Sequence, residues 1–446
     1  MPKLLPHFFV LMFLIATPSS WGQSGKPKQP NILFILADDV GTEVLGCYGG
    51  QSYETPRIDS LAADGQKYRH CYSMPVCHPS RLAIMTGLYP NDLTNQKWGS
   101  FPVEMESKTI AHAMKSAGYK TAVAGKWQLA LQGKDVNHPE RLGFDQSCLY
   151  GWHEGARYHD PYLWQNGKKL ENTEGTYGPD HYTDFLISFM KENRESPFFA
   201  YYSMALCHDV TDDLKAPVPY APGKDRYLNY EEMVDSMDLQ VGKLIDALNE
   251  LGIRENTYII FTGDNGTSSR SIVRAEKKDG DKKWTYLRDE VWSEINGEKI
   301  RGGKGSLTDH GTRVPLLINR PGSVRKGEYD DLIDFSDFLP TFLELASSKA
   351  PDWGPQSKST GTFRGISFAS RILRNEPSTR TFAYSQSKGS KFWVRDQRWK
   401  LYNNGQFFDI ENDPRENRNL GKSIPPEGAE SHRQLSRVIA DKLNWD

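Results

Sequence analysis

The strongest constraint on the fold of this chain is an unbroken apolar run that ends in two adjacent acids. Residues 31–37 read Asn-Ile-Leu-Phe-Ile-Leu-Ala, and Asp38 and Asp39 follow directly. An apolar run of strand length without alternating polar residues is typical of a central strand that is buried on both faces. In open α/β sheets, ligands bind at the carboxyl ends of such strands. Two adjacent carboxylates there repel each other unless a cation accompanies them.

A second apolar run ends in the same way. Residues 256–263 read Asn-Thr-Tyr-Ile-Ile-Phe-Thr-Gly and lead into Asp264 and Asn265. Together with Asp38 and Asp39, these side chains form an all-oxygen ligand set, which suits Ca²⁺ or Mg²⁺. No cluster of histidines indicates zinc. The two runs therefore predict a hard-cation site at the strand ends; the alternative is a helix cap with solvated acids.

A cysteine stands just before the start of a short predicted helix, where residues 77–87 read Cys-His-Pro-Ser-Arg-Leu-Ala-Ile-Met-Thr-Gly. Pro79 suits the first helical turn, and Gly87 can end the helix. Anions bind at helix N-termini, and Arg81 lies one turn from Cys77 on the same face. A nucleophile, a helix N-terminus and a guanidinium together favour attack on an anionic ester. The alternative is a buried cysteine before a capped helix.

The pattern Cys77-x-Pro-Ser-Arg81, followed by Thr86-Gly87, resembles the maturation motif of type I sulfatases. In that family, a formylglycine-generating enzyme oxidises the cysteine to Cα-formylglycine, whose hydrated aldehyde is the nucleophile. The resemblance implies such a maturing enzyme as a partner and a bound metal, usually Ca²⁺, with Mg²⁺ as the alternative. The metal ligands that it implies are Asp38, Asp39, Cys77, Asp264 and Asn265.

The resemblance continues through most of the chain. Residues 125–129 read Gly-Lys-Trp-Gln-Leu where the family usually has Gly-Lys-Trp-His-Leu, which implies that Lys126 binds sulfate. Gln128 replaces the histidine that contacts the formylglycine hydroxyl in many members. Glutamine forms hydrogen bonds but cannot take up a proton near neutral pH. The base that expels sulfate from the enzyme is therefore left open.

Two further segments complete the implied catalytic set. Residues 301–306, Arg-Gly-Gly-Lys-Gly-Ser, resemble the family's GGKG segment, which makes Lys304 a second sulfate-binding lysine. His208 follows a third predicted strand, over 197–205, and would protonate or stabilise the leaving alkoxide. The cations Arg81, Lys126 and Lys304 would offset developing negative charge. The implied catalytic residues are Cys77, Arg81, Lys126, Gln128, His208 and Lys304.

Alternating strands and helices indicate an α/β protein. The family's fold is alkaline-phosphatase-like, with a large mixed β-sheet sandwiched by helices and a small C-terminal antiparallel-sheet subdomain. A short strand is predicted over residues 119–124, and residues 394–413 read as two strands joined by a turn at 403–405. Predicted helices cover residues 108–118, 181–193, 230–251 and 334–346. The expected organisation is a signal peptide over 1–22, a catalytic domain over 23–346, a linker over 347–362 and a C-terminal subdomain over 363–446.

The N-terminal segment predicts export. Lys3 precedes an apolar stretch over residues 8–16, which is too short to span a bilayer. We expect a periplasmic or secreted protein without a membrane span in the mature chain. A net charge of −2 provides no basic field for nucleic acid. The chain has five cysteines, an odd number, so at least one is unpaired or modified, and conversion of Cys77 leaves zero to two disulfides.

Two segments have no clear periodicity. Residues 151–159 read as a loop that either lines a substrate pocket or packs on the surface. Residues 268–300 form a charged insertion, which we interpret as a solvated flap near the site.

The predicted function is that of an exported sulfatase that hydrolyses a sulfate ester, with a sulfated carbohydrate as the expected substrate. Two alternatives remain. One is a phosphoesterase or phosphonate hydrolase on the same scaffold. The other is a non-catalytic protein that binds sulfated glycans, a possibility raised by Gln128.

Overall fold

The computed structural model describes Met1 and residues 29–94, 97–151, 154–210, 226–276, 285–349, 364–387 and 389–443. Apart from Met1, the expected signal peptide lies outside the described residues, as does most of the predicted linker. No helix in the described ranges is long and apolar enough to cross a membrane. All five cysteines are described, and none of them forms a disulfide.

The described chain is built mainly from β-strands joined by helices. The strands are β1 (Asn31–Ala37), β2 (Gln66–Tyr72), β3 (Lys120–Trp127), β4 (Gln146–Gly151), β5 (Trp164–Gln165), β6 (Lys168–Lys169), β7 (Phe198–Ser203), β8 (Thr257–Gly263), β9 (Arg270–Glu276), β10 (Thr285–Glu290), β11 (Trp292–Ile295), β12 (Glu298–Arg301), β13 (Leu316–Asn319), β14 (Gly327–Asp334), β15 (Ala383–Gln386), β16 (Phe392–Arg395), β17 (Trp399–Tyr402) and β18 (Phe407–Asp409). The α-helices are α1 (Pro56–Ala63), α2 (Cys77–Thr86), α3 (Ile110–Ser116), α4 (His138–Arg141), α5 (Gly178–Glu192), α6 (Tyr230–Glu250), α7 (Asp309–Thr312), α8 (Phe338–Leu345), α9 (Ala369–Arg374) and α10 (Ala429–Leu443).

Ten of these strands form one mixed sheet in the order β14-β2-β13-β8-β1-β7-β3-β4-β5-β6. Strand β1 lies near the centre and runs parallel to both of its neighbours, β7 and β8. All of its residues are buried, which confirms the prediction from its unbroken apolar sequence. Strands β3 and β4 continue the parallel part, whereas β13 is antiparallel to β8. The carboxyl ends of β1, β3, β7 and β8 therefore meet at one edge.

Two hydrophobic clusters sandwich the sheet. Alternate side chains of a strand point to opposite faces, and β1 divides in this way: Phe34 belongs to one cluster and Ile35 to the other. The cluster with Phe34 includes apolar residues of α2, α3 and α8. The cluster with Ile35 includes those of α5 and α6. This three-layer arrangement confirms the predicted α/β class.

A second, four-stranded antiparallel sheet follows in the order β15-β16-β17-β18. Leu435 and Ile439 of α10 pack with Trp399 and Leu401 of this sheet. Met74, which lies just before α2, belongs to the same cluster, so the small sheet packs directly against the main body. The small C-terminal sheet is thus confirmed, whereas the exact domain boundaries stay a prediction.

Several predicted elements differ in extent. Strand β3 continues to Trp127, three residues past the predicted end, because its last residues pair with β4. Lys126 pairs with Tyr150 and therefore lies within the strand. Helix α8 begins at Phe338, four residues late, because a capped 3₁₀ turn occupies residues 335–337. The other predicted helices correspond to α3, α5 and α6.

The sequence predicts a single strand before the turn at 403–405. This prediction is wrong, because the structure has two strands there, β16 and β17. The Asp396 carboxylate accepts hydrogen bonds from the backbone N–H groups of Arg398 and Trp399, at 2.8 and 2.6 Å, and turns the chain between β16 and β17. The turn predicted after β17 is present, with Gly405 at φ +84°. The charged insertion over 268–300 forms two antiparallel pairs, β9 with β10 and β11 with β12, and its residues 277–284 lie outside the described chain.

Truncation of a central side chain tests this core. We expect Ile35→Ala to lower the free energy of unfolding by about 2–5 kcal/mol, because the cavity forms between fully buried neighbours. The measurement is urea denaturation followed by tryptophan fluorescence. Leu373→Ala on α9, where the side chain is 45% exposed, is the control and should change stability by less than about 0.5 kcal/mol. Equal effects of the two variants would contradict this account of the core.

Candidate active site

The ends of β1 and β8 bring three carboxylates together. Asp264 donates its backbone N–H to the carbonyl of Ala37 at 2.8 Å, and its side-chain Oδ1 accepts the backbone N–H of Asp39 at 3.1 Å. Asp39 has a left-handed backbone with φ +61°, which turns the chain sharply after the strand. The ligand atoms of Asp38, Asp39, Asp264 and Cys77 all lie within 4.8 Å of one another. The predicted strand-end cluster is therefore present.

Cys77 is the first residue of α2, rather than the residue before it. Val76 is extended and Gly87 is left-handed, so the helix includes Cys77, which the sequence placed just before it, and it ends before Gly87 as predicted. The Cys77 Sγ lies 3.3 Å from Oδ1 of Asp38 and 3.7 Å from Oδ1 of Asp39. Burial and the nearby Asp264 raise the pKa of this thiol well above its ordinary value. A thiol that stays protonated is a poor nucleophile.

Each carboxylate of the cluster contacts a different cation. Lys126 Nζ lies 2.5 Å from Asp38 Oδ2, and Lys304 Nζ lies 2.6 Å from Asp39 Oδ2. Arg81 donates from Nε and Nη2 to Asp264 Oδ2, at 3.1 and 2.7 Å. The predicted cations thus converge on the predicted acids, which are almost fully buried, while Lys304 keeps 22% of its side chain exposed.

These cations control the charge of the buried acids. Burial by itself would raise the pKa of Asp38, but the positive charges of Lys126, Arg81 and Lys304 together hold it well below its ordinary value. For Asp264, burial and the neighbouring Asp38 carboxylate prevail and raise its pKa. The acids therefore depend on positive charge to remain ionised together.

Asn265 provides a test of whether the site fits a metal ion. Its side-chain nitrogen donates to Asp39 Oδ1 and to the carbonyl of Gly266, both at 2.8 Å. Its side-chain oxygen is buried and has no hydrogen-bond partner among the described residues. A buried acceptor without a partner costs about 1–3 kcal/mol. An orphaned oxygen beside three carboxylates is the donor set that Ca²⁺ or Mg²⁺ prefers, so the residues fit such an ion.

His208 lies against the same cluster. One of its ring nitrogens is within 4.8 Å of the ligand atoms of Asp38 and Cys77. Its Nδ1 lies 3.1 Å from Nη1 of Arg157 and 3.3 Å from the carbonyl of Asp209. Burial, with the positive charges of Lys304 and Lys126, lowers the pKa of His208 well below its ordinary value, so the ring is neutral.

Gln128 follows directly after β3 and is 1% exposed. Its side-chain oxygen is buried, and no donor among the described residues reaches it. The structure shows no hydrogen bond between Gln128 and Cys77. Its predicted place beside the nucleophile therefore stays a prediction.

Two residues of the site were not predicted. Ser203, the last residue of β7, accepts a hydrogen bond from Arg81 and donates one to the carbonyl of Lys126 at 2.8 Å. Arg157, which contacts His208, belongs to the loop over 151–159, in which Trp152 and His153 lie outside the described residues. The sequence indicated that loop as one of two alternatives, a pocket lining or a surface loop, without singling out Arg157. Nothing in the sequence distinguished Ser203.

Comparison with known proteins identifies the family. The profile of the Sulfatase family matches residues 30–348. The chain belongs to the sulfatase family. It is therefore a sulfuric ester hydrolase, as its resemblance in sequence implied.

Similar proteins cover most of this sulfatase. An N-acetylgalactosamine-6-O-sulfatase of Bacteroides thetaiotaomicron is 26% identical over 92% of this chain and 93% of its own length. The N-acetylgalactosamine-6-sulfatase of Rattus norvegicus is 30% identical over 74% of this chain and 64% of its own length. The crystal structure of Ps i-CgsB in complex with k-i-k-neocarrahexaose superposes with a TM-score of 0.71, at 26% identity, over 92% of this chain and 93% of that chain.

The acidic cluster predicts a stabilising response to calcium. We expect Ca²⁺ at a hundredfold excess over its Kd to stabilise the wild-type protein by about 2.7 kcal/mol, because the ion binds the folded state alone. Asp264→Asn should lose most of this response. The measurement is thermal unfolding with and without Ca²⁺ after treatment with a chelator.

Asp337→Asn is the matched control, because Asp337 is another buried carboxylate paired with an arginine, Arg380, outside the cluster. This variant should keep the full response to Ca²⁺. An unchanged calcium response in Asp264→Asn would show that the cluster does not hold the ion.

Proposed function

We propose that this protein is an exported sulfatase that hydrolyses a sulfate ester of a sulfated glycan through a nucleophile derived from Cys77. The observation that carries the proposal is the position of Cys77, at a helix N-terminus and within 3.7 Å of two carboxylates that contact Lys126 and Lys304. The two relatives described above are named as N-acetylgalactosamine-6-sulfatases, and these names support a sugar substrate.

Asp38, Asp39, Asp264 and Asn265, with residue 77, would hold Ca²⁺, with Mg²⁺ as the alternative. When bound, the ion supplies positive charge to the nucleophile and to a sulfate oxygen. Oxidation of Cys77 to formylglycine by a maturing enzyme would supply, as the hydrated aldehyde, a hydroxyl in place of the protonated thiol.

The lysines provide the anion site. Carboxylates that bind a divalent ion no longer need Lys126 and Lys304 as counter-ions, so both ammonium groups become available to sulfate oxygens. Charge-assisted hydrogen bonds of this kind strengthen as negative charge develops beside largely buried groups. Arg81 stays with Asp264, which it contacts through two nitrogens, and so orients a metal ligand.

We assign to His208 the role of acting on the leaving oxygen. The Arg157 guanidinium can only donate hydrogen bonds, and its 3.1 Å contact with Nδ1 of His208 is shorter than the 3.3 Å contact of Nδ1 with the Asp209 carbonyl, so we infer that Nδ1 is the acceptor. In a neutral ring, the proton then lies on Nε2. Tyr158 holds this turn by donating to the carbonyls of Ala205 and His208, both at 2.7 Å. We infer that Nε2–H donates to the leaving alkoxide of the sugar.

The first experiment compares substrates. The protein, co-expressed with a sulfatase-maturing enzyme, is assayed for release from matched sulfate and phosphate esters of N-acetylated amino sugars. We expect sulfate release, and we expect Cys77→Ala to abolish it while the circular dichroism spectrum stays unchanged. A preference for phosphate esters would favour the phosphoesterase alternative. Binding of sulfated sugars without release would favour the binding-protein alternative.

Gln128 offers a second prediction. We expect Gln128→Ala to lower kcat about tenfold, because a single hydrogen bond contributes about 0.5–1.5 kcal/mol. The apparent pKa of the acidic limb of the pH–rate profile should not change, since an amide does not titrate. Gln128→His is the matched variant and should add a titrating limb near the pKa of histidine. A shifted acidic limb in Gln128→Ala would contradict the assignment.

A further inference from the structure

A buried ionic cluster connects the C-terminal sheet to the segment that carries Lys304. Asp309, the first residue of α7, lies five residues after Lys304. Its carboxylate oxygens each accept a hydrogen bond from Nη1 of Arg395 at 2.9 Å, and Oδ1 also accepts one from Lys400 Nζ at 2.7 Å. Arg395 belongs to β16 and Lys400 to β17.

The same cluster also binds the backbone before Asp309. The carbonyl of Leu307 accepts hydrogen bonds from Lys400 Nζ at 3.4 Å and from the Tyr402 hydroxyl at 3.2 Å. Both donors also contact the Glu416 carboxylate, at 2.6 and 2.5 Å. Residues 307–309 are therefore attached to the small sheet by a side chain and by a backbone carbonyl.

The two cations of this cluster have almost no access to bulk water as an alternative partner. Arg395 is 1% exposed and Lys400 is 0% exposed. The Arg395 guanidinium lies 4.7 Å from the ring centre of Tyr72, in β2 of the large sheet. If one partner moved away, a buried charge would be left uncompensated, which is costly. The ion pairs therefore hold Asp309 in place relative to Arg395 and Lys400.

The segment between Lys304 and Asp309 needs such external support. Lys304 lies in the glycine-rich sequence Gly302-Gly303-Lys304-Gly305, which gives the backbone great freedom, and Gly305 adopts φ +86°. Two hydrogen bonds fix its near end: Lys304 N–H donates to the carbonyl of Thr267 at 2.9 Å, and Gly305 N–H donates to that of Pro75 at 2.8 Å. The Asp309 cluster fixes the far end.

We propose that Asp309, Arg395 and Lys400 form a clamp through which the C-terminal sheet positions Lys304 in the anion site. These three are positioning residues, because they act through the backbone of residues 304–309 and not on the substrate. The proposal rests on the proposed role of Lys304 in binding sulfate.

A second buried ion cluster provides a matched control. Arg380 lies 3.0 Å from Asp334 and also pairs with Asp337, at the start of the turn before α8. Like Arg395, it is a nearly fully buried arginine between the C-terminal region and the main body. It has no hydrogen bond to the segment over 302–309 among the described contacts. Arg380→Lys and Arg395→Lys therefore make the same chemical change at two different places.

The test measures hydrogen exchange and anion binding in both variants. We expect each to lower the melting temperature, but only Arg395→Lys to speed amide exchange in residues 302–309. We also expect Arg395→Lys to weaken inhibition by inorganic sulfate about tenfold, as loss of one charge-assisted contact would. The double variant tests the coupling to Lys304. If Arg395 acts through Lys304, adding Arg395→Lys to Lys304→Ala should change the affinity for inorganic sulfate by less than about threefold, because the effects of coupled residues do not add.

Tyr402→Phe is the milder variant if Arg395→Lys does not fold, since it removes only the hydroxyl that contacts Leu307 and Glu416. It should speed exchange in the same segment by a smaller factor. Unchanged exchange and unchanged sulfate inhibition, together with a lowered melting temperature, would overturn the clamp. The exchange measurement needs no sulfatase activity, so failure of the clamp and failure of the proposed function give different results.

Discussion

The site depends on one electrostatic constraint, which is that three almost fully buried carboxylates must lie within 4.8 Å of a nucleophilic position. Such acids stay ionised together only beside cations. The chain meets this constraint with Lys126, Lys304 and Arg81, one for each acid. A divalent ion bound to the carboxylates would release the lysines for an anion, which couples metal binding to substrate binding.

The large sheet makes this convergence possible. Parallel strands end at the same edge, so acids that are distant in the sequence meet after β1 and β8, while Lys126 comes from the end of β3. The helix that carries residue 77 packs against the same sheet and directs its N-terminus to the acids. The Lys304 loop has no regular structure of its own, which is why contacts from the C-terminal sheet matter for its position.

Much of this arrangement could be predicted from sequence, because it rests on local patterns. The unbroken runs before Asp38 and Asp264 predicted buried strands and a cation site at their ends, while Pro79 indicated the first turn of α2 and Gly87 its end. The pairing of Asp309 with Arg395 joins residues 86 positions apart and has no local pattern. Likewise, Arg157 was visible only as part of an irregular loop, and the turn at Asp396 depends on side-chain hydrogen bonds rather than on a glycine.

The most direct test of the account is the mass of the peptide that contains residue 77. The protein is purified after co-expression with a sulfatase-maturing enzyme, and the converted fraction is compared with the rate of sulfate release across several preparations. The account predicts a mass loss that matches thiol-to-aldehyde conversion, with activity in proportion to the converted fraction. Full sulfate release from a preparation in which residue 77 remains cysteine would contradict it.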